Sequence, residues 1–322
     1  MTHTGSDAFG LRATGGLHVP AAHLWLDGLP RDGIAFRSHL ARLPRRLHRV
    51  LCSTELATLM GAKGPRPLTV PWAKPFALGQ LTVELLPAGS GPGAALLRLH
   101  LAGHTVLYAA AARPRPLPTS PEMQLEAADV LVLDAELAEE PHLTPAALRE
   151  RVRAQVSQLS DERPAVVWLF DRRSSALDVA RLVGRGRPLH AHESIRRLAR
   201  RYADAHIALP RLRELRRPPR PGSLILWPAA RVETLARGPA GSLQRVLVQE
   251  RCDDSAVRHV GAVEGLSLSR RAAGAELDRV ARASGAADVV AFGRGAAALC
   301  RRLEVEGLNT WHLVDDAQLE LV

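Results

Sequence analysis

Few stretches of this 322-residue chain hold chemically useful side chains at a working spacing. "HAHE" offers His190, His192 and Glu193 as a compact set of two imidazoles and a carboxylate. In an extended strand, positions 190 and 192 share a face, so two metal ligands are geometrically available there. The competing reading is an ordinary strand–helix junction. His39 reads either as a lone ligand or as a hydrogen-bonded surface histidine. His100 and His104 flank a short turn and read as surface residues. Ser90 lies in "PAGSGPG" (87–93), which lacks the GxSxG spacing and the strand-to-helix setting of a nucleophile elbow. "GRGRP" (184–188) and "GRGAA" (293–297) have neither GxxxxGK[ST] nor GxGxxG spacing, so they read as turns. Cys52, Cys252 and Cys300 form no CxxC pair. That argues against a thiolate zinc site and points to a reducing, cytoplasmic setting.

The elements that would position these residues change character along the chain. Leu24–Leu26, Ile34–Phe36, Arg49–Cys52 and Leu81–Leu86 read as short strands. Ser53 or Thr54 can cap a helix ending near Gly61. Ala95–Leu101 and His104–Tyr108 read as a hairpin about Ala102-Gly103. Asp129–Leu133 is a compact buried strand. Alternating helices and strands follow. Thr144 and Pro145 open a helix with Leu148, Val152, Val156 and Leu159 on one face. Ala165–Phe170, Ser223–Trp227 and Arg245–Val248 read as strands, and Ile195, Leu198 and Tyr202 mark a helix. "RLRELRRPPRPG" (211–222) is a basic, proline-closed linker. Leu277, Val280 and Ala281 share a helical face, with Gly285 as its stop. Val289–Phe292, a helix through Leu299 and Leu303, and Trp311–Val314 finish the chain. The pattern implies an α/β (α+β) protein with mixed sheets.

Composition narrows the class. Apolar residues are 46% and charged residues 24% of the chain, which is the make-up of a folded globular protein. No apolar run of membrane-spanning length occurs. The N-terminus lacks a basic start followed by an apolar stretch, so a secretory signal is not expected. The net charge is +10. Between Arg163 and Arg220 stand 15 Arg against 5 acidic residues, an excess equal to the whole surplus of the chain. A basic face suits a polyanion such as DNA or RNA, and Arg196, Arg197, Arg200 and Arg201 form its helical part. Lysine occurs only at Lys63 and Lys74. Part of the arginine excess therefore fits a general arginine-for-lysine bias.

Several segments carry a resemblance. "GLHVPAAHLWLDG" (16–28), "VLCSTELATLM" (50–60), "PAGSGPGAA" (87–95) and "ADVLVLDAEL" (128–137) occur in that order. "RPLHAHESIRRLARRYADAHIALP" (187–210) and the segment 265–308 follow. Together they resemble the metallo-β-lactamase fold with a β-CASP insertion. Within it they are similar to the bacterial DNA-ligase-associated exonucleases, themselves similar to mRNA 3′-end processing nucleases. The resemblance implies an αββα sandwich built from residues 1–145 and 245–322, with a β-CASP-like α/β domain over 146–244.

The family uses two zinc ions held by His and Asp ligands, which activate water for attack on phosphorus. Its first ligand set, HxHxDH, matches "FRSHLARLPRR" (36–46). With His39 as the first ligand, the next positions are Ala41, Leu43 and Pro44. Shifted by one, they are Ser38, Leu40, Arg42 and Leu43. Neither register supplies more than one ligand. In the HPAGHxxGS turn, Leu86 and Ser90 stand at the histidine positions. Ala111 stands at the bridging aspartate. "SRRAA" (269–273) matches SDHAD, which puts Arg271 at a histidine position. Gly293 stands at the terminal histidine. The acidic β-CASP position is kept as Asp134, and Arg271 is available to it as an ion-pair partner.

The resemblance thus implies a metal-free pseudo-nuclease with no cofactor, binding nucleic acid or a partner such as an active nuclease, DNA ligase or helicase. Arg270, Arg271 and Arg294 either place positive charge where metal-site residues stood or fill a decayed pocket. The alternative is a metal-dependent exonuclease or hydrolase with a relocated site.

Overall fold

The computed structural model describes residues 11–13, 17–28, 30, 33–40, 49–61, 66–101, 103–141, 143–158, 164–184, 187–216, 218–237 and 243–313. Ala41, Arg42, Leu43, Pro44, Ala102, Leu159 and Val314 lie outside them. The chain divides into two compact units. Unit 1 holds 1–116, 120–140 and 271–322, and unit 2 holds 117–119 and 141–270.

Unit 1 begins with β1 (Arg12–Ala13), β2 (Leu17–Val19), β3 (Leu24–Leu26), β4 (Ile34–Phe36), β5 (Arg49–Ser53), helix α1 (Thr54–Met60) and β6 (Arg66–Val70). These six strands form one sheet in chain order. Next come β7 (Phe76–Leu78), β8 (Leu81–Pro87), β9 (Ala95–Leu101), β10 (His104–Tyr108) and β11 (Val130–Asp134). In unit 2, α2 (Pro145–Gln158), β12 (Val166–Phe170), α3 (Arg173–Val183), β13 (Leu189–Ala191) and α4 (Glu193–Asp204) are followed by β14 (Leu224–Pro228), α5 (Val232–Ala236), β15 (Arg245–Gln249), α6 (Asp254–His259) and β16 (Glu264–Ser267). Unit 1 then resumes with α7 (Ala275–Ala283), β17 (Asp288–Phe292), α8 (Ala296–Val305) and β18 (Asn309–His312). Its second sheet has seven strands in the order β18-β17-β11-β10-β9-β8-β7. This is a mixed α/β architecture.

Local chemistry accounts for many boundaries. The Ser53 hydroxyl accepts from Leu56 N at 3.1 Å and caps α1. Thr144 Oγ1 accepts from Ala147 N at 3.1 Å ahead of Pro145. Gly285, at φ +66°, ends the turn after α7. The β9–β10 hairpin pairs Leu101 with His104. One core contains Leu24, Phe36 and Leu51 from the first sheet and Val83, Leu97 and Val132 from the second. On the other face of the seven-stranded sheet, Leu131 and Val289 pack with Leu277 and Leu299 of α7 and α8. Val50 and Cys52 pack with Leu56 of α1.

Unit 2 is an all-parallel sheet in the order β13-β14-β12-β15-β16. Every residue of its central strand, VVWLF, is buried, as expected for a strand covered on both faces. The sequence boundary at 244/245 needs correction. β15 pairs with β12 from Val167–Arg245 to Phe170–Val248, and β16 pairs with β15. Residues 245–270 therefore belong to unit 2, and the return to unit 1 is at Arg271. Strand register, not local pattern, decides this.

A buried polar cluster fastens unit 2. Asp178, fully buried on α3, accepts from Thr119 N at 3.0 Å and Thr119 Oγ1 at 2.6 Å, and pairs with the Arg270 guanidinium. Arg270, only 8% exposed, is thereby committed to the interior of unit 2, which corrects its expected role as a nucleic-acid contact. Replacing Asp178 by Ala strands a buried guanidinium and should cost about 3–5 kcal/mol in urea unfolding. A loss below about 1 kcal/mol would show that the pair is incidental to the fold.

Candidate functional site

Strands β8, β10, β11 and β17 run in one direction, so their carboxyl ends meet at one end of the seven-stranded sheet. Backbone bonds stitch the loops that leave them. Arg113 N donates to Ala88 O at 2.8 Å, Ala109 N to Val132 O at 2.8 Å, Ala135 N to Phe292 O at 2.8 Å, and Ala272 N to Ala112 O at 2.7 Å. Ser90, Ala111, Arg271 and Gly293 lie on these stitched loops, and Asp134 is the last residue of β11. The folded chain thus gathers positions that are up to 203 residues apart, from 90 to 293, at one end of one sheet.

The turn between β8 and β9 is wholly buried. Ala88 N donates to Ala94 O at 2.9 Å, and Gly89 and Gly93 take φ of +79° and +70°. A Cβ on Gly89 would strike the Arg113 carbonyl, and one on Gly93 would strike the first turn of α1. Both the left-handed backbone and the close approach therefore require glycine. The Gly93 carbonyl also accepts from Ser53 Oγ at 2.7 Å. Ser90, 3% exposed, buries a hydroxyl that has no hydrogen-bond partner among the described residues.

A polar cluster adjoins this turn on unit 1. Asp27, at φ +54°, accepts from Ser38 N at 2.9 Å, Ser38 Oγ at 2.5 Å and Tyr108 Oη at 3.1 Å. Ser38 Oγ lies 2.9 Å from His39 Nδ1. The serine proton is committed to Asp27, so in this arrangement His39 serves as donor to Ser38 rather than as its base. The order is not that of a nucleophilic triad. Tyr108 lies between Phe36 and Phe292, each 6.0 Å away by ring centroid. Burial, then the carboxylates of Asp27 and Asp134, push its phenol well above the usual range, against the pull of Arg271. Tyr108 therefore acts as a hydrogen-bond donor at neutral pH.

Asp134 ends β11. Its Oδ1 accepts from Glu136 N at 2.9 Å, and its Oδ2 pairs with the Arg271 guanidinium. Burial raises its pKa, while Arg271 and then the Glu136 N–H pull it down. Gly293 passes so close that a Cβ there would lie 3.4 Å from Asp134 Oδ1 and 3.1 Å from Glu136 N. Arg113, 1% exposed, donates from Nη1 to the Arg271 carbonyl at 2.9 Å and steadies that segment.

The other expected residues are distributed differently. His192 Nδ1 accepts from Ser194 N at 3.1 Å as the N-cap of α4. His190 Nδ1 lies 3.3 Å from the Glu214 carbonyl, and Glu193 pairs with Arg197 at 2.6 Å. The "HAHE" residues thus take three separate jobs. His192 lies past the end of β13, so the shared-face argument does not apply to it. Arg196 pairs with Glu214 at 3.6 Å. Arg200 is exposed and Arg201 half-buried on the same helix. Arg294 is exposed and pairs with Glu136 at 3.4 Å. Among the described residues, no group of three or more His, Cys, Asp or Glu side chains is arranged to hold a metal ion. No described helix is long and apolar enough to cross a membrane.

Asp27, Ser38 and Tyr108 are the members of this cluster that sequence reasoning missed. "LDG" reads as an ordinary turn, and nothing local links Asp27 to a tyrosine 81 residues on. The one usable signal was a carboxylate directly after an apolar strand; Asp134 was singled out through the resemblance instead.

No family model matches the chain, and no curated protein does. Among solved structures it is similar to a protein of unknown function from Enterococcus faecalis V583. The two are 12% identical, with 83% of this chain and 77% of that one covered, at a TM-score of 0.52. Such a likeness concerns the fold alone.

Because burial raises the pKa of Asp134, ionising it costs stability as pH rises from the ordinary carboxylate range through the folded pKa. Arg271→Met removes the opposing cation. It should raise that pKa further, extend the stability loss to higher pH, and cost about 3 kcal/mol at neutral pH. Adding Asp134→Asn should recover much of the loss. Urea unfolding across a pH series reads all three. A single Arg271 variant with the parent pH profile would refute the pairing.

Proposed function

We propose that this chain is a non-catalytic relative of metal-dependent nucleases, a pseudo-nuclease that binds nucleic acid or a DNA- or RNA-processing partner. The observation that carries the reading is the Asp134–Arg271 ion pair at the carboxyl end of the seven-stranded sheet. Where the resemblance calls for a histidine beside a metal site, a guanidinium neutralises the retained carboxylate. A guanidinium has donors only and offers no lone pair to a metal. Ser90, Ala111 and Gly293 on the neighbouring loops offer no imidazole or carboxylate.

The finer architecture fits the same reading. The shared core of the two sheets of unit 1, with α1 against one outer face and α7 and α8 against the other, supports an αββα sandwich. The parallel sheet of unit 2, inserted in the chain between segments of unit 1, supports a β-CASP-like domain. Such a scaffold without its metal chemistry is suited to holding a strand or a partner in place rather than cutting it.

The basic face is narrower than the arginine count implies. On α4, Ile195, Leu198 and Tyr202 point inward. Arg196 and Arg197 are tied to Glu214 and Glu193, so on this helix the polyanion reading rests mainly on the exposed Arg200.

The purified protein should carry far less than one zinc per chain by elemental analysis. It should bind single-stranded DNA or RNA with an affinity that falls as salt rises. Arg200→Ala with Arg201→Ala should lower the magnitude of the log–log salt slope by roughly 1–2. Stoichiometric zinc that is lost in a His39→Ala variant would instead establish the relocated-metal hydrolase. Binding that is indifferent to salt would remove the polyanion.

A further inference from the structure

The carboxyl edge of the parallel sheet in unit 2 carries a second group of residues that the preceding reading does not use. Ligands of open parallel α/β sheets bind at this edge, because each crossover helix starts there and directs its free N–H groups toward it. Here α3 begins just after β12, and α4 just after β13. The N-cap of α3, Arg172, makes no side-chain capping bond. Ser175 in the first turn of α3 is 1% exposed, and its hydroxyl has no partner among the described residues.

The cationic groups at this edge divide into tied and untied. Arg172 pairs with Glu250 at 2.9 Å, and Arg196 with Glu214 at 3.6 Å. Arg173 at the start of α3 and Arg231 after β14 are exposed, and their guanidinium groups make no ion pair or hydrogen bond among the described residues. His192 stands between these strand ends, its backbone N–H donating to Leu226 O at 3.1 Å. Its Nδ1 is engaged by Ser194, which leaves Nε2 without a partner among the described residues. The imidazole meets the Trp227 ring edge-on, 4.7 Å between centroids. Trp227 is itself held by its Nε1 donating to Arg231 O at 2.9 Å. The groups that act on His192 are Arg231, Glu193, Arg196 and Arg173, and its pKa is lowered, by burial first and then by Arg231.

We infer that Arg173, Arg231 and His192 Nε2 form a site for the phosphomonoester of a nucleotide at the carboxyl edge of this sheet, with Trp227 beside it as a stacking surface for the base. Guanidinium forks match phosphate oxygens, and these two make no ion pair among the described residues that would already occupy them. An aromatic ring next to a phosphate site suits a nucleobase. A dianionic monoester would also reverse the field on His192 and draw a proton onto it. The monoester has two sources, a free nucleotide or the end of a nucleic-acid strand. The second rests on the polyanion binding proposed above, and the first does not.

Calorimetric titration of the full chain with AMP, adenosine and inorganic phosphate tests the site. AMP should bind at least about tenfold tighter than adenosine, and Arg173→Ala with Arg231→Ala should weaken AMP about tenfold or more. AMP binding near neutral pH should take up protons, read from titrations in buffers of different ionisation enthalpy, and His192→Gln should abolish that uptake. Arg200→Ala with Arg201→Ala should leave AMP affinity unchanged. A short DNA strand with a terminal phosphate, compared with the same strand ending in hydroxyls, separates the sources. A preference for the phosphate identifies strand ends, and AMP binding without that preference identifies the free nucleotide. Equal affinity for AMP and adenosine, no detectable AMP binding, or full AMP affinity in an Arg173/Arg231 variant with the parent melting temperature would each overturn the site. Loss of strand binding alone, with AMP retained, counts only against the proposed function.

Discussion

Two carboxylates largely shut off from solvent, one partly and one fully buried, need cations, and adjacent arginines supply them. Asp134 sits at the end of β11 in unit 1, and Asp178 lies inside unit 2 on α3. Arg271 pairs with the first and Arg270 with the second. An ionised carboxylate in a poorly solvated place is costly unless a guanidinium and further hydrogen-bond donors satisfy it. Each aspartate has both. Asp134 has the Glu136 N–H, and Asp178 has the Thr119 N–H and hydroxyl. The last residue of unit 2 and the first of the returning unit 1 are thus each held by an ion pair within their own unit.

The turn Ala88–Ala94 illustrates how a scaffold is held independently of any reaction. Its two left-handed glycines let the backbone pass against Arg113 and the first turn of α1 without a side chain between. Its carbonyls and N–H groups are taken up by Ala94, Arg113 and Ser53. These constraints act on backbone or on glycine, so the form of the turn does not depend on the chemistry of position 90 as long as the side chain there is small enough for its buried place.

Charge counting and charge placement differ. The sequence concentrates its arginine excess between 163 and 220, which invites a broad basic face. In the fold, Arg196 and Arg197 spend their charge on Glu214 and Glu193, and Arg172 on Glu250. Among the described residues, those left outward without an ion pair include Arg200 on α4, Arg211, Arg213 and Arg220 in the stretch that follows it, and Arg173 and Arg231 at the carboxyl edge of the parallel sheet. The arginines that matter for an anion are those whose neighbours leave them unneutralised, and that is not readable from composition.

The strands 24–26, 34–36, 95–101, 104–108 and 166–170, the Ser53 and Thr144 caps and the buried face of α7 were legible from sequence, because each depends on periodicity and short-range hydrogen bonding. The mixed α/β class follows from the same local signals. The assignment of residues 245–270 was not legible, since a parallel strand's partner is set by long-range register that leaves no mark on its own pattern. The cluster of Asp27, Ser38 and Tyr108 escaped for the same reason: its members belong to different strands and meet only when the two sheets of unit 1 share a core. The sequence alone determined which residues are absent, since no folding can turn Ser90, Ala111 or Gly293 into an imidazole or a carboxylate. Tertiary structure decided pairs such as Asp178 with Arg270 and Arg172 with Glu250, because long-range ion pairing depends on distance in space rather than along the chain.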